Sequence, residues 1–497
     1  MTLFMAYPVD RANPFRGLLP LWIGSGVYAL LLLAGNRLLL DPDTMWQVTV
    51  GQWILDHRAV PVTDVYSFTM RGERWISTQW LAQVVLAGAF RVAGWSGPVV
   101  VAASSIAAAF ALLALGLSRR LGDSAVLVFV AMALAVSAPH LMARPHVLAM
   151  PVMVLWVGAL IAAADRGAAP CFALLPLMVL WANLHGGFVF GLVMLAPVAF
   201  DAVCGVAPER RMQLAARWVA FSLAAMIAGC CTPYGWNSLL ASQKILALGS
   251  ALPLITEWRP SDFGSLGVFE IVLLLGLGLA LSHGIKLPPR RILLLLGLLH
   301  LALAQARAAE LLGLLAPLVV AAPLAPQLGR AAAVEGSATP AKRGAVIAGL
   351  AMVLVAGTLV YSSQYRFAPN VRQSPVAAVA ALKQLHVSRV FNDYDFGGYL
   401  IENGVAPFID GRTELYGEKF FVDHNAASGL TEPENLFRLL EIYHIEATLL
   451  RTQSAATKLL DHIDGWQKIY ADEIATVHVR KPLASHRLDP AVAPDPR

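Results

Sequence analysis

From Pro170 to Cys204 the chain reads PCFALLPLMVLWANLHGGFVFGLVMLAPVAFDAVC. A helix needs about 20 apolar residues to cross the hydrocarbon of a bilayer, so this run is too long for one crossing. Its middle, Asn183-Leu-His185-Gly186-Gly187, is polar and rich in glycine. The stretch therefore predicts two apolar helices joined by a tight tip. The same shape recurs twice. Residues 124–164 turn at Ser137-Ala-Pro-His140 through Arg144-Pro-His146, and residues 291–326 turn at Gln305-Ala-Arg307-Ala-Ala-Glu310. With the runs 17–39, 98–118, 213–231, 266–283 and 345–362, these hairpins predict an all-α polytopic membrane domain of about eleven spanning helices.

Composition agrees. Of 497 residues, 57% are hydrophobic and 14% charged, whereas a soluble domain carries about a quarter charged residues. The apolar runs fill 17–362, and 363–497 has ordinary globular composition. Two domains follow: 1–362, with a long first outer loop at 40–97, and 363–497. The net charge of +5 comes from Lys and Arg in short loops, which fits a membrane protein better than a nucleic-acid binder. The four cysteines, Cys171, Cys204, Cys230 and Cys231, sit inside apolar runs and form no CxxC pair, so no disulfide or metal framework is expected. The first apolar run, 17–40, is longer than the core of a cleavable signal and reads as an anchor.

Charge sets the expected orientation. Arg11 and Arg16, Arg119-Arg120, Arg166, Arg210-Arg211 with Arg217, Lys286 with Arg290-Arg291, and Lys342-Arg343 fall on one side if 78–92 lies at the interface. The positive-inside rule makes that side cytoplasmic. All three tips, the loops 40–97 and 232–264 and the C-terminal domain then share the outer face of a bacterial inner membrane. Polar groups are tolerated there and costly at mid-depth.

The first outer loop opens with Asp41-Pro-Asp43-Thr-Met-Trp46-Gln-Val-Thr-Val-Gly51-Gln-Trp53. Residues 43–57 have helical periodicity and predict a helix lying flat at the interface, with Trp46 and Trp53 at headgroup depth. Asp43 as the N-cap of that helix is the structural alternative to a chemical role. Two carboxylates flanking a proline could also hold a divalent cation, though no metal site is expected from the chain as a whole.

This loop and several later stretches resemble a bacterial branch of the GT-C glycosyltransferase superfamily, polytopic enzymes that take sugars from polyprenyl-phosphate carriers. The resemblance is carried by Asp41–Trp53, Pro61…Asp64…Ser67-Phe68-Thr69, Trp75…Gln79-Trp80, Arg144-Pro-His146, Trp181-Ala-Asn183-Leu-His185-Gly186-Gly187-Phe188, Thr232-Pro-Tyr-Gly-Trp236, Glu257-Trp258…Pro260…Asp262-Phe263, and Phe391-Asn392-Asp393 through Asp410-Gly411-Arg412. It implies a GT-C-like membrane domain and a lipid-linked sugar donor. It also implies an aspartate of the first outer loop as general base: Asp43 first, Asp41 second. Two positions depart. Similar sequences have Trp-His where this chain has Trp46-Gln47, and Glu-Trp where it has Gln79-Trp80. Neither glutamine can do acid–base work.

Displacing a polyprenyl phosphate from an anomeric carbon needs a carboxylate near the incoming hydroxyl and cations around the departing phosphate. Arg144, His146, His185 and Arg307, all at tips, are the candidate phosphate ligands, against the alternative of interfacial side chains that meet lipid headgroups. Trp46, Trp80, Asn183 and Glu257 are candidates for substrate contact, with Arg259 either beside Glu257 in the cleft or paired to it.

The C-terminal region alternates helix and strand signals and predicts a small α/β domain. The helices fall at Pro375–Leu385, Glu434–Tyr443 and Ala456–Ile463. The strands fall at Arg389–Asn392, Pro407–Ile409 and Ala447–Leu450, with a closing pair near Trp466–Val479. Asp393, Asp410 and Arg412 follow two of these strands and are candidates to bind an acceptor glycan. The alternative is Asx turns and an Asp410–Arg412 pair that joins two loops. Three readings stay open: a glycosyltransferase acting on a glycan or lipid acceptor, a lipid-linked glycan transporter or flippase, and a non-catalytic glycan-binding relative.

Overall fold

The structure, a computed structural model, describes residues 17–328 and 340–481. Arg11 and Arg16 lie outside the described residues, as do the side chains of Lys342 and Arg343. The chain divides into two units, and neither is a continuous segment. The first comprises 1–64, 72–370 and 413–418; the second comprises 65–71, 371–412 and 419–497.

The first unit is helical. Among the described residues six helices are long and apolar enough to cross a membrane: 96–118, 123–140, 145–165, 208–229, 306–324 and 344–364. Shorter apolar helices occupy 19–33, 80–93, 172–184, 188–204 and 268–282, and a further helix runs Pro289–Ala304. Every expected span falls on a helix, but the count of eleven crossings is not confirmed, because polar tips and prolines end several of these helices early. Helix 96–118 runs through the middle of the core. Its Ala102, Ala103, Ile106, Ala109, Phe110 and Leu113 are all fully buried, and the small residues among them let neighbouring helices approach closely.

The helix Asp43–His57, expected to lie flat at the interface, packs within the unit, with Trp46, Val48, Val50 and Ile54 buried. The loop that follows it returns through an antiparallel bridge between Thr63 and Arg74. That loop leads into helix Trp80–Ala93, which lies against Asp43–His57. The two touch backbone to backbone at Gly51, where an added Cβ would lie 2.0 Å from the carbonyl oxygen of Gln83. Gly51→Ala is therefore expected to force these helices apart and destabilise the protein by about 1–3 kcal/mol. The effect would be read as a lower unfolding temperature in detergent.

At the end of helix 145–165 away from its Arg144 tip, three of the basic loops meet. Arg291 is buried and pairs with Asp165 and with Asp201 at 2.6 Å. Arg120 reaches Asp165 at 2.8 Å, and Arg290 reaches Asp201 at 3.2 Å. Two aspartates thus tie the chain after residue 118, the end of helix 145–165, and the start of helix 289–304 into one network.

The second unit is built on a four-stranded sheet: β1 (Val390–Asn392), β2 (Ala447–Arg451), β3 (Trp466–Ala471) and β4 (Ala475–Arg480). The order is β1-β2-β4-β3. β1 and β2 are parallel, with Phe391 opposite Thr448, and the remaining pairs are antiparallel. Helix Val376–Gln384 buries Ala378, Val379 and Leu382 against Val390, Leu449 and Val477. Pro407–Ile409, expected as a strand, contributes only an isolated parallel bridge from Pro407 to Val390. Asn392 takes the place of the missing ladder. Its side-chain oxygen accepts from the Phe408 amide at 2.7 Å, and its side-chain nitrogen donates to the Ile409 carbonyl at 2.8 Å.

Residues 65–71 of the first loop complete this unit. The Phe68 amide donates to the Pro407 carbonyl at 3.3 Å. The Thr69 hydroxyl donates to the Phe408 carbonyl at 2.7 Å, and the Phe68 ring stands edge-on to Phe408. The Ser67-Phe68-Thr69 stretch is therefore part of a second-unit core. A helix over Thr413–Gly429, kinked at Gly417 with φ 77°, was not expected from the sequence.

Candidate functional site

Arg144 is the residue that precedes helix 145–165. It is in extended conformation, as the proline after it demands, and this projects its side chain away from the helix. The guanidinium meets carboxylates from three distant segments, all within the first unit. Nη1 donates to Asp41 at 3.0 Å, Nη2 donates to Asp43 at 2.8 Å, and Nη1 also donates to Glu257. The acidic pair is held by its own helix start. The Asp41 carboxylate accepts from the Asp43 amide at 2.8 Å, so Asp41, not Asp43, serves the exposed backbone of that first turn. Asp43 is left to accept from the Trp46 indole N–H at 2.9 Å. Trp46 is held in turn by an edge-on contact with Trp75, whose indole N–H donates to Glu414 at 3.2 Å.

Three carboxylates on one guanidinium do not all stay ionised at neutral pH. Burial pushes Asp43 up to about 8; Arg144 opposes the shift, and the neighbouring Asp41 and Glu257 add to it. Glu257 goes the other way. Burial would raise it, but Arg144 and Arg307 hold it below its ordinary value. Environments that drive neighbouring carboxyl groups apart in this way separate a proton acceptor from a permanent anion.

The other tips converge on the same place. Arg307 lies over the Trp258 ring, 4.7 Å from its centroid, and 3.9 Å from Glu257. His146 donates from Nε2 to the His140 carbonyl at 3.0 Å and lies 3.8 Å from Glu310. The His146 and His185 rings stand 6.2 Å apart. Burial keeps His185 well below the ordinary histidine range. Its Nδ1 accepts from the Gly187 amide at 3.0 Å, which leaves the ring proton on Nε2. Gly187 is needed for that approach, since a Cβ there would lie 2.9 Å from Nδ1.

Asn183 and Trp80 do a packing task beside this cluster. The Trp80 indole donates to the Asn183 side-chain oxygen at 2.8 Å, while the Asn183 side-chain nitrogen donates to the carbonyls of Val179 and Cys231. Together they line an apolar hollow of about 610 Å³ with Leu180 and Pro233. Gln47, one of the departures from similar sequences, is buried and accepts from Gln83, which itself accepts from Ser77. Arg259 does not pair with Glu257; it donates to the carbonyls of Pro253 and Leu254. Tyr234 donates to the Pro61 carbonyl at 2.8 Å, giving the Thr232-Pro-Tyr motif a structural task.

The structure therefore brings Asp41, Asp43, Trp46, Arg144, His146, His185, Glu257 and Arg307 together in the first unit. Asp393, Asp410 and Arg412 belong to the second. Asp410 and Arg412 form a fully buried pair with bonds of 2.8 and 2.7 Å, and Arg412 also lies over the Tyr66 ring. Asp393 accepts from the Asp395 amide and pairs with Arg451, and burial pushes it up to about 6. Sequence reasoning did not select Glu310 or Trp258. Glu310 lies one helical turn after Arg307, and that spacing was the available signal.

A divalent cation at Asp41 and Asp43 would have to compete with the Arg144 guanidinium for their oxygens. Among the described residues no group of three or more His, Cys, Asp or Glu side chains is arranged to hold a metal.

No known protein-family model matches the chain, and no curated protein matches it. Among the solved structures it resembles, two can be described. One is the archaeal oligosaccharyltransferase AglB from Archaeoglobus fulgidus, in complex with an inhibitory peptide and a dolichol-phosphate. It is 10% identical, with a TM-score of 0.49 over 94% of this chain and 75% of that one. Another is ArnT from Cupriavidus metallidurans bound to undecaprenyl phosphate. It is 13% identical, with a TM-score of 0.49 over 94% of this chain and 98% of that one.

Proposed function

We propose that this chain is a membrane glycosyltransferase of GT-C type. It moves a sugar from a polyprenyl-phosphate-linked donor to a hydroxyl of a glycan or lipid acceptor at the outer face of a bacterial inner membrane. The observation that supports this most is the joining of Asp41, Asp43 and Glu257 on Arg144, with Arg307 beside them. Carboxylates and guanidiniums are the two groups the reaction needs, and they come from separate loops to one place.

In this reading Asp43 accepts the proton of the acceptor hydroxyl as that oxygen bonds to the anomeric carbon. The bond from that carbon to the phosphate oxygen breaks, and the polyprenyl phosphate leaves with the electron pair, giving inversion. Arg307 is the first phosphate ligand, because its guanidinium is held over the Trp258 ring and makes only a long contact with Glu257. Arg144 is the second, since its donors already hold three carboxylates and its main task is to aim them. His185, neutral and with its Nε2–H available, is a further donor to phosphate oxygens. The hollow lined by Trp80, Leu180 and Pro233 is the prenyl-chain path.

The test is to incubate vesicles carrying the protein with a polyprenyl phosphate labelled in its sugar. Glycosyl transfer predicts that the label leaves the lipid and free polyprenyl phosphate accumulates. Label that crosses the bilayer still attached to its lipid would favour transport and overturn the enzymatic reading. Arg307→Ala is expected to raise the KM for donor about tenfold or more, the loss of a charge-assisted contact worth about 1.5–3 kcal/mol. An unchanged KM would remove Arg307 from the phosphate site.

A further inference from the structure

Helix 145–165 has a second polar end. With 21 residues it spans about 30 Å, so what gathers at Arg166 is remote from the carboxylate cluster at Arg144. Here helices 96–118, 145–165 and 306–324 enclose a groove of about 640 Å³. Its walls are apolar, and Leu115 and Leu155 are exposed along it. Its rim carries Arg119, Arg120 and Arg166 against the single carboxylate of Asp165.

We propose that this groove binds a glycerophospholipid with an anionic headgroup. The charge accounting carries the argument. Asp165 is already neutralised, by Arg120 at 2.8 Å and by the buried Arg291. The side chains of Arg119 and Arg166 are exposed and make no hydrogen bond or ion pair among the described residues. Two forked donors at the mouth of an apolar groove match a phosphate ester above acyl chains. A soluble anion would meet the rim but gain nothing from the leucine walls, whereas a zwitterionic lipid would fill the walls and set its own cation against the arginines. Gly158 shapes the groove. It lies on its wall, and an added Cβ would meet nothing nearer than Leu318 at 3.8 Å, so a longer side chain there would enter the space a lipid chain takes. This site is independent of the glycosyl-transfer reading.

The experiment uses the full chain in mild detergent, with phosphatidylglycerol, phosphatidylcholine, inorganic phosphate and a polyprenyl phosphate added separately. Bound lipid is counted by native mass spectrometry, and unfolding temperature is followed in parallel. The expected result is preferential retention of phosphatidylglycerol with a raised unfolding temperature. Its affinity should fall at least tenfold in Arg119→Ala with Arg166→Ala, recover in the corresponding double lysine variant, and fall again in Gly158→Leu. Because Arg119 and Arg166 are exposed, the charge variants keep the test decisive even if Gly158→Leu does not fold. Equal retention of phosphatidylcholine, protection by inorganic phosphate alone, tighter binding of the polyprenyl phosphate, or unchanged affinity in the double alanine variant would each overturn the proposal.

Discussion

Asp43→Asn is expected to lower the rate of sugar transfer about a thousandfold, within the range that a positioned general base contributes, while donor binding changes little. The substitution is nearly isosteric. The remaining side-chain oxygen still accepts from Trp46 or Arg144, so the helix start and the Arg144 cluster survive. What is lost is the ability to take a proton. The wild-type rate carries a pH signature, because burial holds the Asp43 carboxyl up to about 8. A base must be deprotonated to act, so transfer should climb as pH rises toward that value and level off above it. The residual activity of the Asn variant should be flat over the same interval. Asp41→Asn should cost less, since Asp41 serves the Asp43 amide and Arg144. Full activity of Asp43→Asn in vesicles, or in a host whose deletion strain loses a surface glycan, would remove Asp43 from the chemistry.

Arg144→Gln should have the largest effect on stability, about 3–5 kcal/mol, the usual result of removing one partner from a buried charge cluster. It leaves Asp41, Asp43 and Glu257 facing one another with Arg307 as their remaining nearby cation. The penalty should depend on pH with a definite sign. Without Arg144 the carboxyl groups are held in the folded state at pKa values above their unfolded ones. Folding then binds protons, and stability present at low pH is lost as pH rises through the folded values. Adding Glu257→Gln to Arg144→Gln should restore part of the loss by removing one of the three negative charges. Unfolding temperatures across pH 5–9 for both variants would check this. A single variant no less stable at high pH than at low pH would contradict the picture of carboxylates restrained by one guanidinium.

The tips that build this cluster were readable in the sequence because each is a polar interruption in an apolar run, and the bilayer makes such interruptions conspicuous. Glu257 was noticed only through its Trp neighbour. Its partner lies more than a hundred residues away, and no local pattern encodes that distance. The burial of Trp46 was not legible for a related reason. An aromatic residue in an amphipathic stretch reads as an interfacial anchor, but this indole has a carboxylate acceptor within its own helix turn and an aromatic neighbour in Trp75, which together let it be buried. Gln47 reads as a lost titratable group until its side-chain oxygen is seen to accept from Gln83, which in turn accepts from Ser77. The Asp410–Arg412 pair could be read either way from sequence, and its complete burial is what tertiary structure alone could add.

The two stretches of chain traded between the units limit how the protein can be dissected. A fragment begun at residue 371 and expressed alone would leave the Phe408 carbonyl without the Thr69 hydroxyl and its ring without Phe68, and would expose apolar surface where that strip belongs. A ribosome meets the same constraint in time. Residues 65–71 emerge early and must wait, unpartnered, through the synthesis of every later spanning helix before Pro407 and Phe408 arrive. The second unit is thus the last to be finished, and it is finished by the oldest piece of its own chain.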